Sequence, residues 1–349
     1  MEFCLKTKKI GPGNSVFIIA ELSANHRQDY RVAVKTIEAI KKAGADAVKL
    51  QTYTADTITI DSNRKYFQIK KGTIWDGKTL YQLYREAYTP WQWQPKLKKI
   101  AEDIGLVCFS SPFDRSAVDF LEKMKVPAYK IASFEITDIP LIEYVAAKKK
   151  PVIISTGIAT LKDIEESVRA CRRVGNNQIA LLKCTSAYPT SLEEMNICTI
   201  PDLAKRFGAV VGLSDHSLSL AVPVAAVALG ARIIEKHFIL DRKLGGPDAI
   251  FSLSPVEFKA MVQLIRETEK ALGKVTYSLS PKVLKSREFA RSLFVVSDVR
   301  AGDKFSENNV RSIRPGFGLH PRYLRNVLGR RARMDIMRGT PLTKDMITK

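Results

Sequence analysis

Two stretches decide the fold: Val210-Val211-Gly212-Leu213-Ser214-Asp215, followed directly by His216, and Arg232-Ile233-Ile234-Glu235-Lys236-His237-Phe238. Each is an apolar run closed by polar side chains. Near-continuous apolarity over so few residues suits a parallel strand buried on both faces. Between them, Leu218–Leu229 is apolar nearly all round and reads as a helix packed on several sides. The same unit recurs toward the N-terminus. The runs are Val16–Leu22, Ala47–Gln51, Leu106–Ser111, Ala128–Ser133, Pro151–Thr156 and Ile179–Thr185, which with the first two make eight. The intervening stretches have helical character. Arg31–Lys42 carries Val32, Val34, Ile37 and Ile40, and Leu161–Val174 opens acidic and ends basic, as the helix dipole favours. Gly44, Gly105, Gly175, Gly208 and Gly230 stand where such helices should stop. Eight alternations and a closing helix, Pro255–Leu272, predict an α/β protein of the TIM (β/α)₈ barrel type rather than an open sheet.

The chain has 349 residues, which fits such a barrel with a smaller module attached. The reading is a barrel domain over 1–273, a linker over 274–290 and a small, mostly β module over 291–349. The linker rests on the lysine- and serine-rich stretch Lys274–Arg287. The module rests on the strand-like Ser292–Val299 and the turn signals at Ala301-Gly302-Asp303, Pro315-Gly316 and Gly339-Thr340. One connection is long. Thr52–Trp91, with Trp75, Tyr81, Tyr84 and Tyr88, follows the second strand and should emerge on the catalytic face as a lid or substrate wall, or else as a surface excursion.

Composition narrows the class. Apolar residues make up 45%, so a large core needs no staple. The five cysteines include no CxxC pair, which argues against a disulfide framework or a cysteine-rich zinc site. No secretory leader and no membrane-length apolar run is expected, leaving a reducing, cytoplasmic setting. The formal charge is +20. From Lys282 to Lys349 there are 16 Lys+Arg against 6 Asp+Glu, so half the excess lies in this C-terminal stretch of linker and module. Such a tail could hold nucleic acid or acidic polysaccharide. It lacks the aromatic-basic interleaving of an RNA module, so no nucleic-acid partner is expected.

The strand ends build the active site of a TIM barrel. Here they supply Glu21, Asn25 and His26; Lys49 and Gln51; Ser110 and Ser111; Lys130, Ser133 and Glu135; Ser155 and Thr156; Lys183, Thr185, Ser186 and Tyr188; Ser214, Asp215 and His216; and Glu235, Lys236 and His237. Every strand contributes, which scattered surface polarity would not produce. His216 and His237 sit on neighbouring strands and could share one ion. With no cysteine partner they suit an open Mn²⁺, Mg²⁺ or Co²⁺ site better than a closed zinc site; alternatively they are hydrogen-bonded core histidines. Lys49 and Lys130, with Ser111, Ser133, Ser155 and Ser214, suit a phosphate or carboxylate.

These segments carry a resemblance. Ile19-Ala20-Glu21-Leu22-Ser23-Ala24-Asn25-His26, Tyr129-Lys130-Ile131-Ala132-Ser133-Phe134-Glu135, Lys183-Cys184-Thr185-Ser186-Ala187-Tyr188-Pro189, Gly212-Leu213-Ser214-Asp215-His216 and Glu235-Lys236-His237-Phe238 resemble the sialic-acid synthase family. Arg314-Pro315-Gly316 resembles that family's C-terminal SAF (antifreeze-like) domain. Tyr84–Trp91 and Gly318–Tyr323 are similar to the branch that makes pseudaminic acid. Ser186 replaces the asparagine usual in N-acetylneuraminate synthases.

The resemblance implies condensation of phosphoenolpyruvate with 2,4-diacetamido-2,4,6-trideoxy-β-L-altropyranose and water. Legionaminic or N-acetylneuraminic acid synthesis is the alternative. It implies that Glu21, Glu135, Lys49 and Lys130 are catalytic and that His216 and His237 hold the divalent metal. Ser111, Ser133, Ser155, Ser186 and Ser214 would then bind phosphoenolpyruvate, and Asn25, Tyr188, Asp248 and Arg314 would also bind substrate. Finally it implies a domain-swapped homodimer in which each SAF domain inserts Arg314 into its partner's barrel. The stretch Ala87–Trp91 is a candidate to face the 6-deoxy methyl.

Overall fold

The computed structural model describes residues 2–70, 72–186 and 190–348. They divide into two compact units, 1–273 and 274–349.

The first unit is a closed barrel of eight parallel strands: β1 (Phe17–Glu21), β2 (Ala47–Thr52), β3 (Val107–Pro112), β4 (Tyr129–Ile131), β5 (Val152–Ser155), β6 (Ile179–Cys184), β7 (Val210–Asp215) and β8 (Ile233–His237). They pair in sequence order, and β8 closes on β1. Burial on both faces explains why their sequences lack strand alternation. An antiparallel hairpin, Phe3–Leu5 with Lys8–Ile10, precedes the barrel.

Register aligns the site. Pairing sets His237 opposite Glu21, Glu21 opposite Lys49, and Glu235 opposite Ser214. The β7–β8 contact is tight. A Cβ on Gly212 would lie 2.3 Å from the Ile233 carbonyl oxygen and 2.8 Å from the Ile233 Cβ, so only glycine allows this approach.

The helices form where their caps and periods say. Tyr30–Lys42 starts on the Asp29 side chain, and Leu161–Arg173 and Pro255–Leu272 open with capping boxes made by Thr160/Asp163 and Ser254/Glu257. The apolar stretch from Leu218 behaves differently: its helix begins only at Ala221, and Leu218 is 47% exposed. Pro223 then occupies an early position where its missing N–H costs nothing. No described helix is long and apolar enough to cross a membrane.

Between β2 and β3 the described residues form the helices Ala55–Ile58 and Leu80–Ala87, with the 3₁₀ turn Lys65–Phe67 between them, then the 3₁₀ turn Trp91–Trp93 that leads into the helix Gln94–Asp103. His26 anchors this excursion. Its Nε2 lies 3.1 Å from Thr89 Oγ1 and its ring meets Trp93 edge-on. Burial lowers its pKa to about 4, so it stays neutral.

In the second unit, β9 (Ser292–Val295) pairs antiparallel with β10 (Val310–Ile313). Leu293, Val295, Val299, Phe305, Val310, Val327, Ile336 and Leu342 form its own core. The lysine-rich stretch before it is not extended throughout: Pro281–Ser286 is helical, capped by Ser280.

Candidate active site

Because successive strand residues point to opposite sides, each strand end delivers alternate side chains inward. On β8, Glu235 and His237 face the barrel mouth. Lys236 faces outward and is buried in an ion pair with Asp215 and a bond to the Ser217 carbonyl. Ser110 likewise turns away, 2.7 Å from Thr52 Oγ1. The strand-end polar residues are therefore two populations, and only one is available for chemistry.

The inward set lines a cavity of about 360 Å³. Its floor holds Glu21, Lys49, Gln51, Lys130, Ser133, Glu135, Ser155, Ser214, Glu235, His216, His237 and Asp248. A larger, more open cavity of about 750 Å³ adjoins it through Trp75 and Pro247. That neighbour lacks converging buried ionisable groups, so the chemistry belongs to the smaller one.

A chain of charges crosses the floor. Lys49 Nζ lies 3.0 Å from Glu21 Oε2 and 2.8 Å from Glu235 Oε1. The same Glu235 oxygen is 3.6 Å from Lys130 Nζ and accepts from Ser214 Oγ at 3.0 Å. Lys130 also donates to Ser155 Oγ at 2.7 Å, and Gln51 Nε2 donates to Glu21 Oε1 at 2.8 Å. Burial alone would raise both carboxyls. Lys49, His237 and Lys130 hold Glu21 well below the carboxylate range, and Lys130 and Lys49 lower Glu235. For Lys49, Glu21 and Glu235 outweigh burial and raise its pKa, whereas for Lys130 burial prevails and lowers it.

Glu135 is different. Burial pushes its carboxyl up to about 7, with Lys130 offsetting only part, and its Oε2 is buried without a hydrogen-bond partner. At neutral pH it is poised to carry or accept a proton.

His216 and His237 stand side by side, with ring centroids 5.2 Å apart. His237 Nε2 is 3.2 Å from Glu21 Oε2. Its Nδ1 is buried without a hydrogen-bond partner, 3.9 Å from Asp248 Oδ2. Burial lowers the His237 pKa despite Glu21 and Asp248, favouring the neutral, ligating form. His216 Nδ1 lies 3.2 Å from the Thr185 carbonyl oxygen and 3.8 Å from Cys184 Sγ. No cluster of three or more His, Cys, Asp or Glu among the described residues makes a closed cation cage. Two imidazoles, one with an orphaned nitrogen beside a carboxylate, fit an open divalent site completed by other ligands.

Asp248 is held by Ser23 Oγ and, at 3.4 Å, by the Ala24 N–H. Ser133 and Ser186 hydroxyls are 2.8 Å apart. A Cβ on Gly157 would lie 2.1 Å from Ser186 Oγ and 2.5 Å from Ser133 Oγ, so this glycine keeps a hydroxyl-lined niche open.

Asn25 and Ser111 are not among the residues that line this cavity. Asn25 is fully buried and donates to the Phe238 carbonyl and Ser252 Oγ, so it braces the loop after β1 rather than facing the cavity. Ser111 Oγ is buried without a partner. Arg314 follows β10 in the second unit, and Tyr188 lies outside the described residues. Of Ala87–Trp91, only Ala87 reaches the cavity. Trp91 instead packs on Phe120, and Trp93 on Tyr30.

Comparison with known proteins agrees with this geometry. Residues 36–277 match the NeuB family model, and residues 290–348 match the SAF domain. The chain belongs to the NeuB family. Among its relatives, the pseudaminic acid synthase of Campylobacter jejuni is 49% identical over 327 residues, 94% of this chain and 95% of that one. The Helicobacter pylori pseudaminic acid synthase is 46% identical over 95% of this chain and 98% of its own. The solved N-acetylneuraminic acid synthetase of Leptospira borgpetersenii, in complex with citrate, superposes with a TM-score of 0.74 at 31% identity, covering 82% of this NeuB-family chain and 95% of that structure.

Proposed function

We propose that this NeuB-family protein condenses phosphoenolpyruvate with 2,4-diacetamido-2,4,6-trideoxy-β-L-altropyranose and water to give pseudaminic acid and phosphate. One observation carries the chemistry: Lys49 and Lys130, both buried, meet on one carboxylate oxygen of Glu235 beside the His216–His237 pair. The two pseudaminic acid synthase relatives, at 46–49% identity, favour this acceptor over that of the sialic acid enzyme at 31%.

Two lysines and a rank of hydroxyls match the phosphate and carboxylate of phosphoenolpyruvate. Lys49 and Lys130 supply charge, and Ser155 and Ser214, with Ser111, Ser133 and Ser186, supply directional donors. With Glu21 and Glu235 ionised, the two lysines are already balanced, so a multiply charged anion needs further positive charge. A divalent ion (Mn²⁺, Mg²⁺ or Co²⁺) on His216 and His237 would provide it and polarise the acceptor's aldehyde oxygen as a Lewis acid.

The sugar opens to its aldehyde, and C3 of phosphoenolpyruvate forms the new bond to that carbon. Water adds at C2, and the resulting tetrahedral centre breaks its C–O bond to release phosphate. The water loses two protons as its oxygen becomes the ketone: one, taken up by Glu135, poised near neutrality, ends on the aldehyde oxygen, which becomes a hydroxyl, and the other leaves with phosphate. Glu21, Asp248 and Tyr188 orient the sugar. Positioning and fixed charge account for the acceleration.

The working unit we propose is a homodimer in which the second unit of one chain closes the partner's barrel and delivers Arg314, whose planar fork suits amido and hydroxyl groups. The reaction is assigned to the cytoplasm, in keeping with five free thiols.

The test is an acceptor panel read by mass of the nine-carbon product. Phosphate release should require phosphoenolpyruvate, the diacetamido-trideoxy sugar and a divalent metal together. Full activity after exhaustive chelation, or preference for the legionaminic or N-acetylneuraminic precursor, would count against this reading. A mobility-retardation assay at two salt concentrations should find no nucleic-acid binding by the basic tail.

A further inference from the structure

The cavity has two unlike halves. Strand ends supply the charged floor. The facing side comes from the excursion between β2 and β3 and from the loop after β3. Ten residues between 52 and 91 are charged, yet none of the described ones lines the cavity; Tyr53, Ile58, Trp75, Leu83, Tyr84 and Ala87 do, joined by Phe113. Such sorting over a polar, solvent-exposed excursion marks a surface shaped for an apolar group.

This wall is built rather than loose. Tyr53 meets Tyr84 and Phe113 edge-on, with ring centroids 5.7 Å and 4.9 Å apart. Tyr53, Ala87 and Ala24 form a small buried cluster of their own, with Ile58 and Phe113 packed against it. Trp75 Nε1 clips the excursion to the loop after β8, donating to the Pro247 carbonyl at 2.9 Å, and Trp91 Nε1 ties the excursion's two ends together by donating to the Tyr53 carbonyl at 3.1 Å.

We infer that Ile58, Leu83, Ala87 and Phe113 form the subsite for the C6 methyl of a 6-deoxy acceptor and thereby determine its selection over 6-hydroxy sugars. The inference rests on the condensation proposed above. On that reading the anionic donor and the aldehyde occupy the charged floor, so the far end of the sugar meets this wall. A methyl there exchanges water for apolar contact. A hydroxymethyl would bury an oxygen where these four side chains offer neither donor nor acceptor. An apolar pocket rejects an added hydroxyl by roughly 10- to 100-fold and no more.

The test measures kcat/KM for the full-length enzyme with saturating phosphoenolpyruvate and divalent metal. The 6-deoxy diacetamido sugar is compared with its 6-hydroxy counterpart in wild type, Ile58→Thr and Leu83→Asn. Both substitutions keep the branching pattern of the side chain, shorten or shrink it, and add a polar group. Wild type should favour the 6-deoxy sugar by roughly 10- to 100-fold. Each variant should cut that ratio several-fold, with the KM for phosphoenolpyruvate unchanged. Equal use of both sugars by wild type overturns the inference. So does an unaltered ratio in whichever variant keeps the wild-type melting transition and donor KM. Turnover of neither sugar by wild type overturns the condensation reading and the subsite with it, an outcome distinct from turnover without discrimination.

Discussion

Glu235 and Lys49, 186 residues apart in sequence, share a 2.8 Å ion pair inside the barrel, and the same Glu235 oxygen steadies Ser214 and Lys130. One carboxylate thus fixes the spacing of two cations. Glu235→Gln should raise the KM for phosphoenolpyruvate at least tenfold and lower kcat/KM by about 100-fold, since both lysines lose their common anchor. Stability should fall by up to about 3 kcal/mol, the lower end for a broken buried pair, because Lys49 keeps Glu21. Steady-state kinetics and urea denaturation measure the two effects. A changed stability with unchanged donor KM would reduce Glu235 to a structural brace.

Glu135 yields a pH prediction. Its carboxyl ionises near 4.5 when unfolded and near 7 in the folded protein. Between those values the folded state binds more protons, so stability falls as pH rises through the window and levels off above it. The group costs roughly 3 kcal/mol at pH 8. Glu135→Gln should therefore be more stable than wild type at pH 8, by that order, and indistinguishable at pH 4. Turnover should fall at least 100-fold. Melting curves at the two pH values and the pH profile of wild-type kcat, with an apparent pKa near 7, check both halves.

His216→Ala and His237→Ala should each abolish metal-dependent turnover while leaving the melting transition cooperative. Metal analysis of the purified variants should find less bound Mn²⁺ or Co²⁺ than in wild type. Normal metal content in both would move the ion elsewhere.

Gly157→Ala probes the donor niche. The new Cβ would crowd Ser133 and Ser186, so the KM for phosphoenolpyruvate should rise about tenfold or more with the acceptor KM little changed. An unchanged donor KM would show that the niche holds something else.

Much of this was legible in sequence because a parallel barrel writes its strands as apolar runs and its chemistry at their ends. Alternation was the unused signal. Glu235 lies two residues before His237 and so must share its face, while Lys236 between them must turn outward; reading parity would have assigned Glu235 and excluded Lys236 and Asp215. Asn25 and His26 were harder. Their polarity resembles that of site residues, but they satisfy Phe238, Ser252 and Thr89, contacts set by tertiary packing. The excursion's inner face was illegible for a similar reason. Its short helices present Ile58, Leu83 and Ala87 inward, and periodicity over so few residues cannot choose a side.

The last prediction concerns Arg314. If it serves the partner's barrel, two inactive variants should rescue each other. Arg314→Ala has a sound barrel, and His237→Ala has a sound Arg314. In a mixed dimer the sound barrel receives the sound arginine, while both defects fall together in the other site. Random pairing makes half the dimers mixed, each with one working site of two, so co-expressed chains should recover about a quarter of wild-type activity. Were Arg314 to act within its own chain, every site in the mixture would carry one defect and nothing would be recovered. Purified single variants set the baseline, and sedimentation of the mixture checks that dimers form.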